Sequence, residues 1–160
     1  MTRSVVVSIV AASVIGVLFA KSANSANTEP PLIASLWKHR PLIVFAPHER
    51  SQGLENQRMI VGASRCGLGD RDMAIVEVIG DEVQGDLEPN SEPKATEFRK
   101  YYGIKANEFR VVLVGKDGTA KLTSASPVSS EQLFRLIDTM PMRKVEVSRR
   151  AGKTGTRDCG

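Results

Sequence analysis

His48, Glu49, Arg50 and Ser51 are consecutive in the chain, and together they offer an imidazole, a carboxylate, a guanidinium and a hydroxyl. Such a set could move a proton or hold a small anion, above all where a helix starts directly after it, because first-turn N–H groups favour negative charge. Adjacent side chains in one loop usually diverge, so a solvated polar loop competes with an acid–base or anion-binding cluster. Cys66 is the other candidate group, since a thiolate beside a cation such as Arg65 has a lowered pKa. Its expected place is the C-terminal end of a helix, where the macrodipole disfavours a thiolate. Asp70-Arg71-Asp72 reads as a turn with Asp hydrogen bonding and a local ion pair. No Ser-His-Asp arrangement, phosphate loop or pair of catalytic carboxylates stands out. The two cysteines, Cys66 and Cys159, have neither a C-x-x-C nor a metal-ligand spacing, and there are two histidines. A structural zinc site is therefore excluded, and no metal or cofactor is expected.

The elements that must position these residues are well marked. Leu42-Ile43-Val44-Phe45 is a run of β-formers without polar alternation, as in a strand covered on both faces, and Pro41 suits its first position. From Gln52 to about Cys66 the pattern is helical, with Gly67, Gly69 and Asp70 turning the chain. Met73 to Ile79 is a second buried strand, parallel to the first because a helix separates them. Gly80 to Pro93 reads as one long polar loop. A helix from about Lys94 to Tyr102 follows, with Gly103 as its cap. Phe109 to Val114 and Thr119 to Thr123 bracket Asp117-Gly118, a hairpin signal. Ser129 with Gln132 forms a capping box for a last helix that runs to Met140, with Val128 stapling to Leu133 and Pro141 as its stop. The order is β-α-β-α-β-β-α, an α/β domain with a mixed central sheet flanked by helices.

A parallel βαβ unit followed by ββα is the arrangement of the thioredoxin fold. The segments WKHRPLIVFAP, GLGDRD, VVLVGKDG and LFRLIDTMPMR together resemble a thioredoxin-like domain of unknown function. That domain is found in bacterial exported proteins and in animal extracellular-matrix proteins such as equarin and the sushi-repeat-containing proteins. The resemblance covers nearly all of residues 35–143 and implies the thioredoxin-like fold, but the family has no settled activity. Laid on the thioredoxin pattern, Glu49 and Gln52 occupy the two cysteine positions, so thiol–disulfide exchange there is ruled out. No proline lies between Pro93 and Pro127, whereas thioredoxins carry a cis-proline before the third strand. A suggested relation of the family to peroxiredoxins leaves Cys66 as a candidate peroxidatic residue.

Both ends of the chain differ from this domain. Arg3 precedes an apolar run from Val5 to Ala20, and small residues follow it, which is the pattern of an export signal cleaved after Ser22 or as late as Ser25. A run of about 16 residues is short for a membrane span of roughly 20. Residues 1–22 are thus expected to be a signal peptide, 23–34 a linker, 35–143 the folded domain and 144–160 a disordered basic tail. The formal charge of +4 belongs to the ends: residues 23–142 carry 14 basic and 16 acidic side chains, and residues 143–160 six and two. Export places the protein in the periplasm or outside the cell, where cysteines can pair. Nothing in the sequence brings Cys66 to Cys159, and a half-buried Cys66 with a loose Cys159 is the expectation.

The reading is an exported thioredoxin-like domain without redox cysteines, a non-catalytic binding or structural protein of the cell envelope. The alternatives are a divergent peroxiredoxin-like oxidoreductase using Cys66, and small-anion binding at His48, Glu49, Arg50 and Ser51. The expected partner is a macromolecule of the envelope or extracellular space. Nucleic acid is not expected, and membrane contact would require retention of the apolar run or use of the basic tail.

Overall fold

A computed structural model describes residues 30–32, 37–87 and 93–151. The elements are β1 (Arg40–Ala46), α1 (Gln52–Ala63), α2 (Arg65–Asp70), β2 (Met73–Ile79), β3 (Glu82–Gly85), α3 (Ala95–Tyr102), β4 (Arg110–Val114), β5 (Ala120–Ser124), α4 (Ser130–Asp138) and α5 (Pro141–Ala151). The strands form one sheet in the order β3-β2-β1-β4-β5. β1 and β2 run parallel with Leu42 opposite Ile75 and Val44 opposite Glu77, and the remaining pairs are antiparallel. This mixed sheet, flanked by helices, is the α/β architecture expected from the sequence and is compatible with a thioredoxin-like fold.

The period of two along each strand divides the core into two layers. Ile43, Phe45, Val76, Val78, Val112 and Val114 pack with Phe98 of α3 on one face. Leu42, Val44, Val111 and Leu113 pack with Leu54 of α1 and Leu133 and Ile137 of α4 on the other. Every residue of β1 is buried, which is why its sequence shows no polar alternation. Truncating Leu42 or Leu113, both fully buried, to alanine should cost about 2–5 kcal/mol.

Several boundaries differ from the sequence reading. The first helix does not run through to Cys66. It breaks at Ser64, whose φ of −123° leaves the helical region, and restarts as α2. Gly62, Gly67 and Gly69 weaken the helix here, and α2 is held by tertiary packing. A Cβ on Gly67 would lie 2.6 Å from the Phe134 ring. The long polar loop contains strand β3, which turns back on β2 with Val83 opposite Val78.

Pro141 is also not a stop. It opens α5, a position where its missing N–H leaves no helical bond unmade, and the folded domain continues to Ala151 rather than ending at residue 143. The expected disordered tail is therefore helical from 144 to 151. The expected signal peptide, most of the linker and residues 152–160 lie outside the described residues.

The expected caps are present. Ser129 accepts from the Gln132 amide while Gln132 Oε1 accepts from the Ser129 amide, and Gly103 is left-handed at φ 67°. Among the described residues no helix is long and apolar enough to cross a membrane.

Candidate functional site

In a sheet with parallel strands, ligands are most often met beyond the carboxyl ends of those strands. Here that pole is formed by residues 47–51 after β1, Gly80 after β2 and the turn leading to β4. The sheet holds it together from below, for the Gly80 amide donates to Ala46 O at 3.0 Å. The Arg99 guanidinium, buried under the same loops, donates to Ala46 O at 2.9 Å, to Lys105 O at 3.0 Å and to Val78 O at 3.3 Å. Arg99 thus neutralises main-chain carbonyls where the strands end. Burial lowers its pKa, with Asp81 opposing, and its Nε has no partner.

His48, Glu49 and Arg50 are exposed at the head of α1, as the sequence indicates, and Ser51 is buried. They do not converge on a common point. The Ser51 hydroxyl turns back to donate to His48 O at 2.7 Å and makes no cap bond to α1. Glu49 reaches along α1 to Arg58 at 2.7 Å, and Arg58 also grips Glu77 with two bonds of 2.9 and 2.6 Å. The Arg58 hydrogen bonds hold the Glu77 carboxyl below its usual range despite burial, with Gln84 adding a third donor.

Between α1 and β4 the contact is apolar. A Cβ on Gly53 would lie 2.8 Å from Cγ and Cδ2 of Phe109, so the phenyl ring lies against the first turn of α1, beside Gln52. The two halves of the pole are closed on each other by this ring.

Cys66 lies in the first turn of α2 and not at a helix C-terminus, because the helix breaks before it. The macrodipole argument from the sequence falls with that break. A different fact governs the residue, for Cys66 is disulfide-bonded. The expected unbridged Cys66 is corrected accordingly. The chain's other cysteine is Cys159, outside the described residues.

An open groove of about 680 Å³ runs between α1, α2 and the β2–β3 edge, floored by Val44, Leu68, Met73 and Ile75. Its polar wall is the Arg58–Glu77–Gln84 set, whose groups already bond one another. Little polar capacity remains there to orient a ligand.

The densest charge cluster is at the opposite pole. Arg40, 1% exposed, donates to both carboxylate oxygens of Glu146 at 3.1 and 2.9 Å and to Arg71 O at 2.9 Å. Lys116 bridges Glu146 and Asp72, 2.8 Å from each. Arg150 bridges Asp72 at 2.8 Å and Asp70 at 2.9 Å, and Arg143 joins Asp70 to Asp138. Arg71 pairs with Asp138 at 2.7 Å and lies 4.1 Å over the Phe134 ring. Burial alone would raise Asp72, Asp138 and Glu146, but the surrounding cations hold all three below their usual values.

Asp70-Arg71-Asp72 is therefore more than a local turn: its side chains join α2, the β4–β5 turn, α4 and α5, and its carbonyls accept from Arg40 of β1. The sequence reading missed this because the partners are 44 to 80 residues away. The available signal was that WKHRP, GLGDRD, GKDG and PMR each carry a charge beside a strand end or turn. Those stretches of the segments that carry the family resemblance meet at this pole and not at the carboxyl ends of β1 and β2.

Fold and charge cluster together define the class, an α/β domain whose thioredoxin-type pole holds no thiol and whose opposite pole is clamped by ion pairs. Residues 31–146 match the family described as domain of unknown function DUF4174, and the chain belongs to it. Among curated proteins it is similar to coiled-coil domain-containing protein 80 of Danio rerio, 25% identical over 83% of this chain and 17% of the relative. It is also similar to sushi repeat-containing protein SRPX2 of Rattus norvegicus, 30% identical over 71% of this chain and 25% of the relative. Sushi repeat-containing protein SRPX of Homo sapiens is 34% identical over 69% of this chain and 25% of the relative. The chain thus spans a quarter or less of the length of these relatives. No solved structure matches it.

Proposed function

We propose that this chain is an exported, non-catalytic domain of the cell envelope or extracellular space that binds another macromolecule or serves a structural role. One observation carries the reading: the pole where thioredoxin-like proteins keep their redox pair has no thiol and is internally committed. Glu49 is spent on Arg58, the Ser51 hydroxyl on His48 O, and the Phe109 ring covers Gly53. Export is supported by the N-terminal apolar run and by a disulfide at Cys66, which oxidising compartments favour. The names of the sushi-repeat relatives and the small share of them that this chain spans suit a module of larger assemblies.

A peroxidase built on Cys66 would need that sulfur as a thiolate, so a reductant would first have to open its disulfide. Anion binding at His48 to Ser51 has a helix start in its favour, but a carboxylate in the same loop and a committed hydroxyl oppose it. The test is insulin-disulfide reduction and peroxide consumption, with dithiothreitol as the electron donor, by the exported chain and by Cys66→Ser. Background rates in both are expected. Turnover in the wild type that is lost in Cys66→Ser would overturn the proposal.

A further inference from the structure

α5 inverts the usual arrangement of an amphipathic helix. It docks through charge, with Arg143, Glu146 and Arg150 turned onto the domain, while apolar side chains face solvent. Met142 is 36% and Val145 47% exposed. Positions 142, 145 and 149 lie within one helical stripe, so Arg149 extends the line of Met142 and Val145. Trp37 is 67% exposed and belongs to the same pole. Its backbone amide donates to Lys116 O at 2.8 Å, and Lys116 Nζ is 2.8 Å from Glu146 in the middle of α5. The Trp37 φ of 67° is uncommon for a bulky residue, and this hydrogen bond helps to hold it.

The outward charge of α5 itself is positive. Asp70, Asp72 and Glu146 are engaged in ion pairs on its inner side, and Asp138, exposed at the end of α4, pairs with Arg71 and Arg143. Lys144 and Arg149 are exposed on α5, and no carboxylate of that helix is left to face outward. We propose that Trp37 and the outer face of α5 form a docking surface for an anionic phospholipid bilayer. An indole suits the headgroup boundary, Met142 and Val145 supply shallow apolar contact, and Lys144 and Arg149 meet the headgroup charge. A second copy fits less well, because two such faces would set Lys144 and Arg149 against their own equivalents. The proposal rests on the reading of the chain as an exported binding module, yet failure to bind lipid would leave its redox assays unchanged.

Trp37 is the sole tryptophan of the chain and reports directly on the surface. The exported chain is titrated with phosphatidylglycerol–phosphatidylcholine vesicles and with pure phosphatidylcholine vesicles, following Trp37 emission and co-sedimentation. A blue shift is expected with the anionic vesicles alone, reversed by high salt. Lys144→Glu/Arg149→Glu should weaken binding by about tenfold or more, and Met142→Ser/Val145→Ser should weaken it too, each with an unfolding midpoint near that of the wild type. Three results would overturn the proposal: no blue shift with anionic vesicles, sedimentation that both double variants leave unchanged, or a blue shift that follows protein concentration without lipid. The last would assign the face to a second copy.

Discussion

Arg40 and Glu146 stand 106 residues apart in the sequence and meet in a two-pronged ion pair of 2.9 and 3.1 Å. The guanidinium belongs to the first residue of the central strand and the carboxylate to the last helix. Arg40 is almost fully enclosed, so its charge has been removed from water and must be matched inside the protein. Glu146 supplies that match, and α5 is held onto the domain by it.

Glu146→Gln should therefore destabilise the domain by about 3 kcal/mol, the cost of leaving a buried cation uncompensated. The Arg40→Met/Glu146→Leu pair should recover most of that loss, because neither charge then remains to be solvated. Urea unfolding of the wild type, Arg40→Met, Glu146→Leu and the pair closes a double-mutant cycle that measures the coupling. Single and double variants that lose stability additively would show that the pair is not coupled.

Acid should loosen the same pole. Asp72, Asp138 and Glu146 have folded pKa values below their ordinary ones of 3.8, 3.8 and 4.5. Their contribution is thus full above those values and is lost as pH falls from there through the depressed folded ones. The melting temperature should be flat from neutral pH down to about 5 and fall steeply below about 4. The Glu146→Gln variant should show a shallower fall, since one of the linked protons is absent from it.

Much of the fold is legible along the chain because strands buried on both faces and capped helices leave local marks. LIVF, MAIVEVI, the Asp117-Gly118 turn and the Ser129–Gln132 box each specify their element within a few residues. What escaped depends on contacts that no local pattern encodes. α5 reads as a polar, basic tail because its docking face is Arg143, Glu146 and Arg150, charges whose partners are Asp70, Arg40 and Lys116. The packing of α2 after the break at Ser64 is likewise non-local, with the Phe134 ring lying against Gly67. At the candidate site, the exposed His48-Glu49-Arg50 loop was legible, while its closure by Phe109 was not. That contact joins residues on two elements far apart in sequence.

Gly53 should tolerate no side chain without movement of that ring. Gly53→Ala should lower the melting temperature, since its Cβ would meet Phe109 at 2.8 Å. Phe109→Ala in the same chain should make the added methyl harmless, so that Gly53→Ala costs less in that background than alone. Equal costs in both backgrounds would show that the ring is not what closes the pole.

Thiol counting follows from the disulfide at Cys66. The folded, unreduced chain should take up no iodoacetamide at Cys66, and Cys159→Ser should make Cys66 labelled stoichiometrically, because the sequence holds no third cysteine. Peptide mapping by mass spectrometry under non-reducing conditions checks both. Labelling of Cys66 in the untreated wild type would mean that the bond is absent.

The central proposal is that this α/β domain, whose sheet is compatible with a thioredoxin-like fold, performs no thiol chemistry, and Cys66 is where that proposal is most exposed to contradiction. A peroxidatic cysteine passes through sulfenic acid, which dimedone traps. The exported chain, first reduced and then mixed with hydrogen peroxide and dimedone, should return to the disulfide at the slow rate of an ordinary thiol and leave no adduct on Cys66 above an unfolded control. Rapid, saturable formation of a dimedone adduct at Cys66, faster in the folded chain than in the unfolded one, would contradict the account.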